Sequence, residues 1–474
     1  MLFNSLGFLL FFPIVCIVYF CIPWLKWRNM FLLAASYYFY MQWKPEYALL
    51  LLTSTAITYG AALLIDKYRT EDDHSLRRAK VVLTLSIVAN LAVLFFYKYY
   101  NWLGGCLTEW MQSADIDMAV PEFDILLPVG ISFYIFQVLG YSIDVYRKNV
   151  EVERNFFTYA LFVSFFPQLV AGPIERSTNL LRQFYEKKVP NHDNLMQGLN
   201  LMLWGYFMKL VVADRCAMYV DAVFNNAAHH TGGSFAVASV MFTMQIYGDF
   251  AGYTYIAIGC AKIMGFHLHD NFHRPYFAAT ITEFWHRWHI SLSSWLRDYV
   301  YFPLGGSRTS KAKAYRNILI TFLISGIWHG ANWTYIFWGV MHGVVQCIER
   351  FLGWNKTRWK GMSKFLHVLV TFVAVDIAWI FFRADSIEQA FYAIKEIFTN
   401  MQMPFEGFGM TGWMYVAFAL MVLAIKECID EFNINLHLSQ SKSWLVQHLY
   451  IIGMVMIIMC FGVLSGGQFI YFQF

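Results

Sequence analysis

The apolar stretch FLISGIWHGANWTYIFWGVMHG (322–343) carries His329 at its centre. An imidazole in such surroundings costs free energy unless something partners it. It is therefore either a satisfied interhelical hydrogen-bonding group or a titratable group needed at that depth. Gly330, Ala331 and Asn332 follow, a small-residue break that lets backbone or substrate approach closely. A second histidine lies in TEFWHRWHISLSSWLRDYVYFPLGG (282–306). There the apolar positions follow a helical period, and His286, His289, Ser293 and Arg297 share a polar flank at spacings of 3, 4 and 4 residues. The spacing predicts one amphipathic helix, ended by Pro303, Gly305 and Gly306.

The chemistry such histidines suit is acyl transfer. A neutral imidazole accepts a proton from an alcohol near physiological pH. A thioester donor brings its own good leaving group, and a second imidazole or an amide then stabilises the oxyanion or orients the first ring. No GxSxG nucleophile elbow is present; Ser325, four residues before His329, is placed to contact it on a helix rather than to act as a covalent nucleophile.

The other polar residues carry plainer readings beside functional ones. His289 alternatively snorkels at an interface, and His286 is read as interfacial. His342 reads as a packing residue of an apolar helix. Asp376, in an apolar span, pairs with a polar neighbour or acts in the site. Arg287, Arg297 and Arg308 either meet donor phosphates or anchor the cytoplasmic side. The pairs His267/His269 and His229/His230 lack partners at ligand spacing, so no metal is expected. Eight cysteines stand singly, giving neither a disulfide framework nor a metal cage.

The elements that position these groups are membrane helices. Of 474 residues, 58% are hydrophobic and 14% charged, against roughly 25% charged in a soluble domain. The net charge of +4 is small and says little about partners, but no Lys/Arg cluster with interleaved aromatics looks like a nucleic-acid surface, so no nucleic-acid partner is expected. The fold class expected is an all-α polytopic membrane protein with about eleven transmembrane helices. Apolar pieces at 30–42, 156–171 and 317–329 are too short to span and read as tilted, re-entrant or broken helices. The N-terminus is kept as a mature helix, since it has no basic start or small-residue cleavage site. Basic loops at 66–80, 146–154 and 175–188, and the polar segment 267–316, are assigned to the cytoplasm, which puts the N-terminus outside. From Arg316 to His329 is roughly 20 Å of helix, so His329 falls well inside a hydrocarbon core about 30 Å thick. The whole chain, 1–474, is expected to form one membrane domain: N-terminal helices in 1–120, a catalytic core in 125–350 and C-terminal helices in 365–474.

Seven stretches resemble the membrane-bound O-acyltransferase family, and within it the bacterial alginate O-acetyltransferase type. They are PVGISFYIFQVLGYSIDVYR (128–147), FVSFFPQLVAGPIER (162–176), YGDFAGYTYIAIGCAKIMGF (247–266), 282–306, SGIWHGANWTYIFWGVMHG (325–343), WIFFRADSIEQA (379–390) and FIYFQF (469–474). The resemblance implies a ring of helices around a central pore and a catalytic pair of His329 and His289. It also implies substrate contacts from Asn332, Ser293, Arg297, Asp249 and Trp328. It implies acetyl-CoA as a cytoplasmic donor substrate, no tightly bound cofactor, and delivery of acetyl to an exported polysaccharide with a separate extracytoplasmic SGNH-hydrolase-type acetyltransferase. This fits the bacterial inner membrane. Tyr255 stands where the family pattern has an acidic residue, and His286 where it has Arg. Peptidoglycan acetylation and D-alanyl export to teichoic acid are same-fold alternatives; a transporter without acyl chemistry is the alternative of a different class.

Overall fold

A computed structural model of the chain describes all residues except 70, 71, 125, 437–440, 442, 465–468 and 471–474. The last four residues of FIYFQF, the first residue of the expected core 125–350 and two residues of the basic run 66–80 therefore lie outside the described residues. The described residues are helical and contain no strand. Six of their helices are long and apolar enough to cross a membrane: Tyr47–Tyr68, Asp73–Lys98, His192–Phe224, Gly361–Arg383, Glu406–Glu431 and Trp444–Phe461. The protein is a polytopic, all-α membrane protein.

The chain packs as two compact units, Met1–Gly198 with Ala257–His269, and Leu199–Ile256 with Asp270–Phe474. In the first, Ser54 on Tyr47–Tyr68 hydrogen-bonds Asn90 on Asp73–Lys98, so polar side chains join two apolar helices where water cannot compete. The segment 156–171 does not form a span. It breaks into Phe156–Ser164 and Phe166–Leu169, with Pro167 opening the second piece. The freed backbone is satisfied internally: Gln137 Nε2 donates to the Phe162 carbonyl at 2.8 Å, and Gln168 Nε2 to Gln137 Oε1 at 2.8 Å.

The second unit carries the histidines, on α1 (Ile281–Arg287), α2 (Ile290–Leu296), α3 (Lys311–His329) and α4 (Trp333–Leu352), backed by α5 (Gly361–Arg383). Thr280 caps α1, Ser310 caps α3 and Asn332 caps α4, each accepting a backbone amide that the first turn leaves unbonded. The α3–α4 contact is close because glycines face each other. A Cβ on Gly326 would lie 2.5 Å from the Tyr335 carbonyl oxygen, and one on Gly339 2.4 Å from that of Phe322.

The single helix expected over 282–306 is not present. It is broken at Trp288–His289, where His289 adopts φ +43°, ψ +54°, and it passes into a π-helical turn at Arg297–Tyr301. The physical reason is tertiary: the Ile290 amide bonds the Asn271 carbonyl at 3.0 Å instead of continuing the ladder of α1.

Candidate active site

His329 is the last residue of α3 and is 2% exposed. Aromatic rings pack against it. Centroids lie 4.8 Å away for Trp328, 4.8 Å for Trp338 of α4 and 5.4 Å for Phe382 of α5. Gly330 then turns the chain in extended geometry so that Asn332 can start α4. His329 is thus buried within the protein, at the junction of α3 and α4.

His289 is fully buried between α1 and α2. Its ring meets Phe250 edge-on at 4.6 Å and Trp328 at 5.9 Å. Trp328 therefore meets both histidine rings, and the structure brings the expected pair to one indole. His289 lies outside the six membrane-crossing helices, and burial pushes its imidazole down from the ordinary 6.5 to about 3. It is neutral at physiological pH, so it can accept a proton or a hydrogen bond.

The break at His289 separates it from its expected flank. His286, Ser293 and Arg297 instead line a cavity of about 280 Å³ that His289 does not line. Arg350, Tyr301 and Gln346 contribute polar groups to this cavity, and Trp285, Phe322 and Ile318 give it an apolar wall. Ser325, one helical turn before His329, also lines it. Arg297 is half-exposed and pairs with Asp298 at 2.8 Å; Ser293 Oγ donates to the Trp288 carbonyl at 3.3 Å.

Two residues expected to contact substrate have structural partners. Asn332 Oδ1 accepts the Thr334 amide at 3.0 Å, and its Nδ2 donates to the Asp385 carbonyl at 2.9 Å. Asp249 forms an ion pair with Lys209 at 2.5 Å and accepts the Ile470 amide at 2.5 Å, while Lys209 also pairs with Asp214 at 2.9 Å. Asp376 accepts from Ser239 at 2.9 Å and Thr243 at 2.6 Å. His342 Nδ1 accepts from Trp285 Nε1 at 3.4 Å within an aromatic cluster. Arg287 is held by Glu283 at 2.7 Å and Glu431 at 2.8 Å. On the helix that carries Tyr255, Gly232–Ile263, the hydroxyl of Tyr247 donates to Glu427 Oε1 at 3.0 Å.

Sequence reasoning missed Lys209, Asn271 and Trp338. Lys209 had a signal, a lone lysine inside WGYFMKLVVA. Asn271 and Trp338 had none, because their importance depends on which ring they meet.

The family model described as MBOAT, membrane-bound O-acyltransferase family, matches residues 150–384. A probable alginate O-acetylase of Pseudomonas aeruginosa is 39% identical over 400 residues, covering 84% of this chain and 75% of that protein. The chain belongs to the membrane-bound O-acyltransferase family. A second probable alginate O-acetylase, from Azotobacter vinelandii, is 38% identical and covers 84% of this chain and 78% of its own length. A peptidoglycan O-acetyltransferase of Helicobacter pylori is 34% identical, covering 77% of this chain and 73% of that protein. This membrane-bound O-acyltransferase is accordingly an enzyme that moves acyl groups, and its matched region spans both histidines, Trp328 in contact with both, Trp338 and Phe382 beside His329, and the residues that line the cavity.

Proposed function

We propose that this enzyme is an inner-membrane O-acetyltransferase with its N-terminus outside. It takes acetyl from cytoplasmic acetyl-CoA and passes it across the membrane for O-acetylation of an exported, alginate-like polysaccharide. The observation that carries this reading is the cavity of about 280 Å³, with Arg297 and Arg350 among its polar groups and Ser325 one turn from His329. Guanidinium groups suit the phosphates of a CoA donor, and an apolar wall suits its acyl-bearing arm. The names of the relatives support an alcohol acceptor and an acetyl group.

In this reading an acceptor hydroxyl attacks the thioester carbonyl carbon. The new C–O bond forms as the C–S bond breaks, the hydroxyl proton passes to His329, and His329 returns it to the departing CoA thiolate. The aromatic rings round His329 keep water from competing with the acceptor. An extracytoplasmic SGNH-hydrolase-type protein completes delivery to the polymer.

The test is release or transfer of labelled acetyl from acetyl-CoA by purified protein in liposomes. Wild type is expected to consume acetyl-CoA, and His329→Ala to lose about two to four orders of magnitude. A folded His329→Ala protein as active as wild type overturns the catalytic assignment. Failure of wild type to bind acetyl-CoA, with its partner present, overturns the donor assignment.

A further inference from the structure

We propose that Asn271 is the positioning residue that fixes the proton of His289 on Nδ1, so that Nε2 carries the lone pair of a neutral acceptor. The proposal rests on the acyl-transfer reading above for its kinetic consequence, but not for its geometry.

Asn271 is 1% exposed, and its Oδ1 receives three contacts: the Ser291 amide at 3.0 Å, Ser291 Oγ at 2.9 Å and His289 Nδ1 at 3.2 Å. A backbone amide only donates, so the atom it meets is the side-chain oxygen and not the nitrogen. His289 Nδ1 must then donate to that same oxygen. A neutral imidazole has one N–H, which leaves the lone pair on Nε2. The backbone repeats the constraint, since the Asn271 carbonyl accepts the Ile290 amide at 3.0 Å and holds the break that gives His289 its left-handed φ of +43°. A non-glycine residue in that region persists only where its surroundings over-determine it.

The residue type matters as well as the position. Asn271 Nδ2 is buried and has no partner among the described residues. An aspartate would make the same three contacts without that orphaned donor. It would also place a carboxylate on His289 Nδ1 and favour the imidazolium, which cannot accept a proton. Asparagine fixes the tautomer without charging the ring. The other charged or titratable groups near His289 do not substitute for it. Asp270 is exposed, Asp249 is engaged by Lys209, Arg287 is held by Glu283 and Glu431, and His329 packs on Trp328.

The deciding experiment is nitrogen-15 NMR of ¹⁵N-histidine-labelled protein in detergent, with His289→Gln used to assign the His289 signals, alongside acetyl-CoA turnover against pH. Wild type is expected to show His289 protonated at Nδ1 and unprotonated at Nε2 at neutral pH. Asn271→Ala is expected to lose the single tautomer and to lower kcat by about tenfold or more, with KM little changed. Asn271→Asp keeps the acceptor and the fold. It is expected to retain the Nδ1 proton, to move the His289 titration up by about one to three pH units, and to introduce a matching acid limb in kcat. A wild-type His289 protonated at Nε2 overturns the proposal, as does an Asn271→Ala protein with wild-type tautomer, kcat and pH profile. If wild type consumes no acetyl-CoA, the functional reading fails, while the nitrogen spectra still decide the role of Asn271.

Discussion

Trp338 closes on His329 edge to face, with ring centroids 4.8 Å apart and planes at 88°. The indole also stacks on Trp379 at 5.6 Å, so α4 and α5 together hold one wall of the histidine's surroundings. Trp338→Ala is expected to destabilise the protein by about 3–5 kcal/mol and to lower acetyl turnover. Trp338→Phe keeps a ring wall and is expected to recover most of both. Thermal unfolding in detergent and acetyl-CoA consumption check the pair; equal damage in the two variants would mean that the indole N–H, not the wall, matters.

The α3–α4 crossing leaves no room for a side chain at Gly326 or Gly339. Gly326→Val is expected to force the helices apart, shift His329 at the end of α3 and abolish turnover. Gly60, around which a Cβ meets nothing within 4 Å, provides the control, and Gly60→Ala is expected to behave as wild type. Retained activity in Gly326→Val would show that the crossing does not position His329.

Lys209 stands 2% exposed between Asp214 and Asp249. Removing one partner of a buried ion pair strands the remaining charge, so Lys209→Met is expected to cost about 3–5 kcal/mol. Replacing Asp214 and Asp249 by Asn in the same chain removes the stranded charges and is expected to restore much of that loss. Detergent-resistant folding, followed by size-exclusion chromatography and unfolding midpoints, gives the comparison.

His289 gives stability a defined pH dependence. Its folded pKa of about 3 lies below the ordinary 6.5. Between those values the unfolded chain binds a proton that the folded protein does not. Stability therefore falls as pH drops through that window, by at most about 1.4 kcal/mol per pH unit. His289→Gln has no such proton and is expected to show a flatter fall below pH 6.5. Identical slopes for the two proteins in unfolding midpoint against pH would refute a buried neutral His289.

Asn332 starts α4 by accepting the Thr334 amide. Asn332→Ala is expected to cost about 0.5–2 kcal/mol, and Asn332→Ser to restore most of it, because serine caps as well. If Asn332→Ser is stable but its KM for acetyl-CoA rises several-fold, the side chain contacts substrate in addition to capping.

Much of this protein was readable in its residues. The apolar runs required membrane helices, since a chain with so few charges has no other way to satisfy its backbone in lipid. The isolated histidine in SGIWHGAN and the motif around His289 marked the chemistry. The broken segment 156–171 was legible too, because sixteen residues fall short of a span and basic stretches flank it on both sides.

What sequence alone determined was therefore the inventory: helices, the two histidines and the family they resemble. Periodicity reads only local geometry, so it drew 282–306 as one helix and put His289 on a flank with Ser293 and Arg297. The tertiary structure decided otherwise. Asn271, from a different stretch of chain, competes for the backbone at the break and turns His289 into the interior, leaving Ser293 and Arg297 to the cavity. Likewise Trp328 and Trp338 became neighbours of His329, and Asp249 the partner of Lys209, only through contacts between helices. Such contacts depend on how side chains from separate helices fill one space, and no spacing along a single helix encodes them.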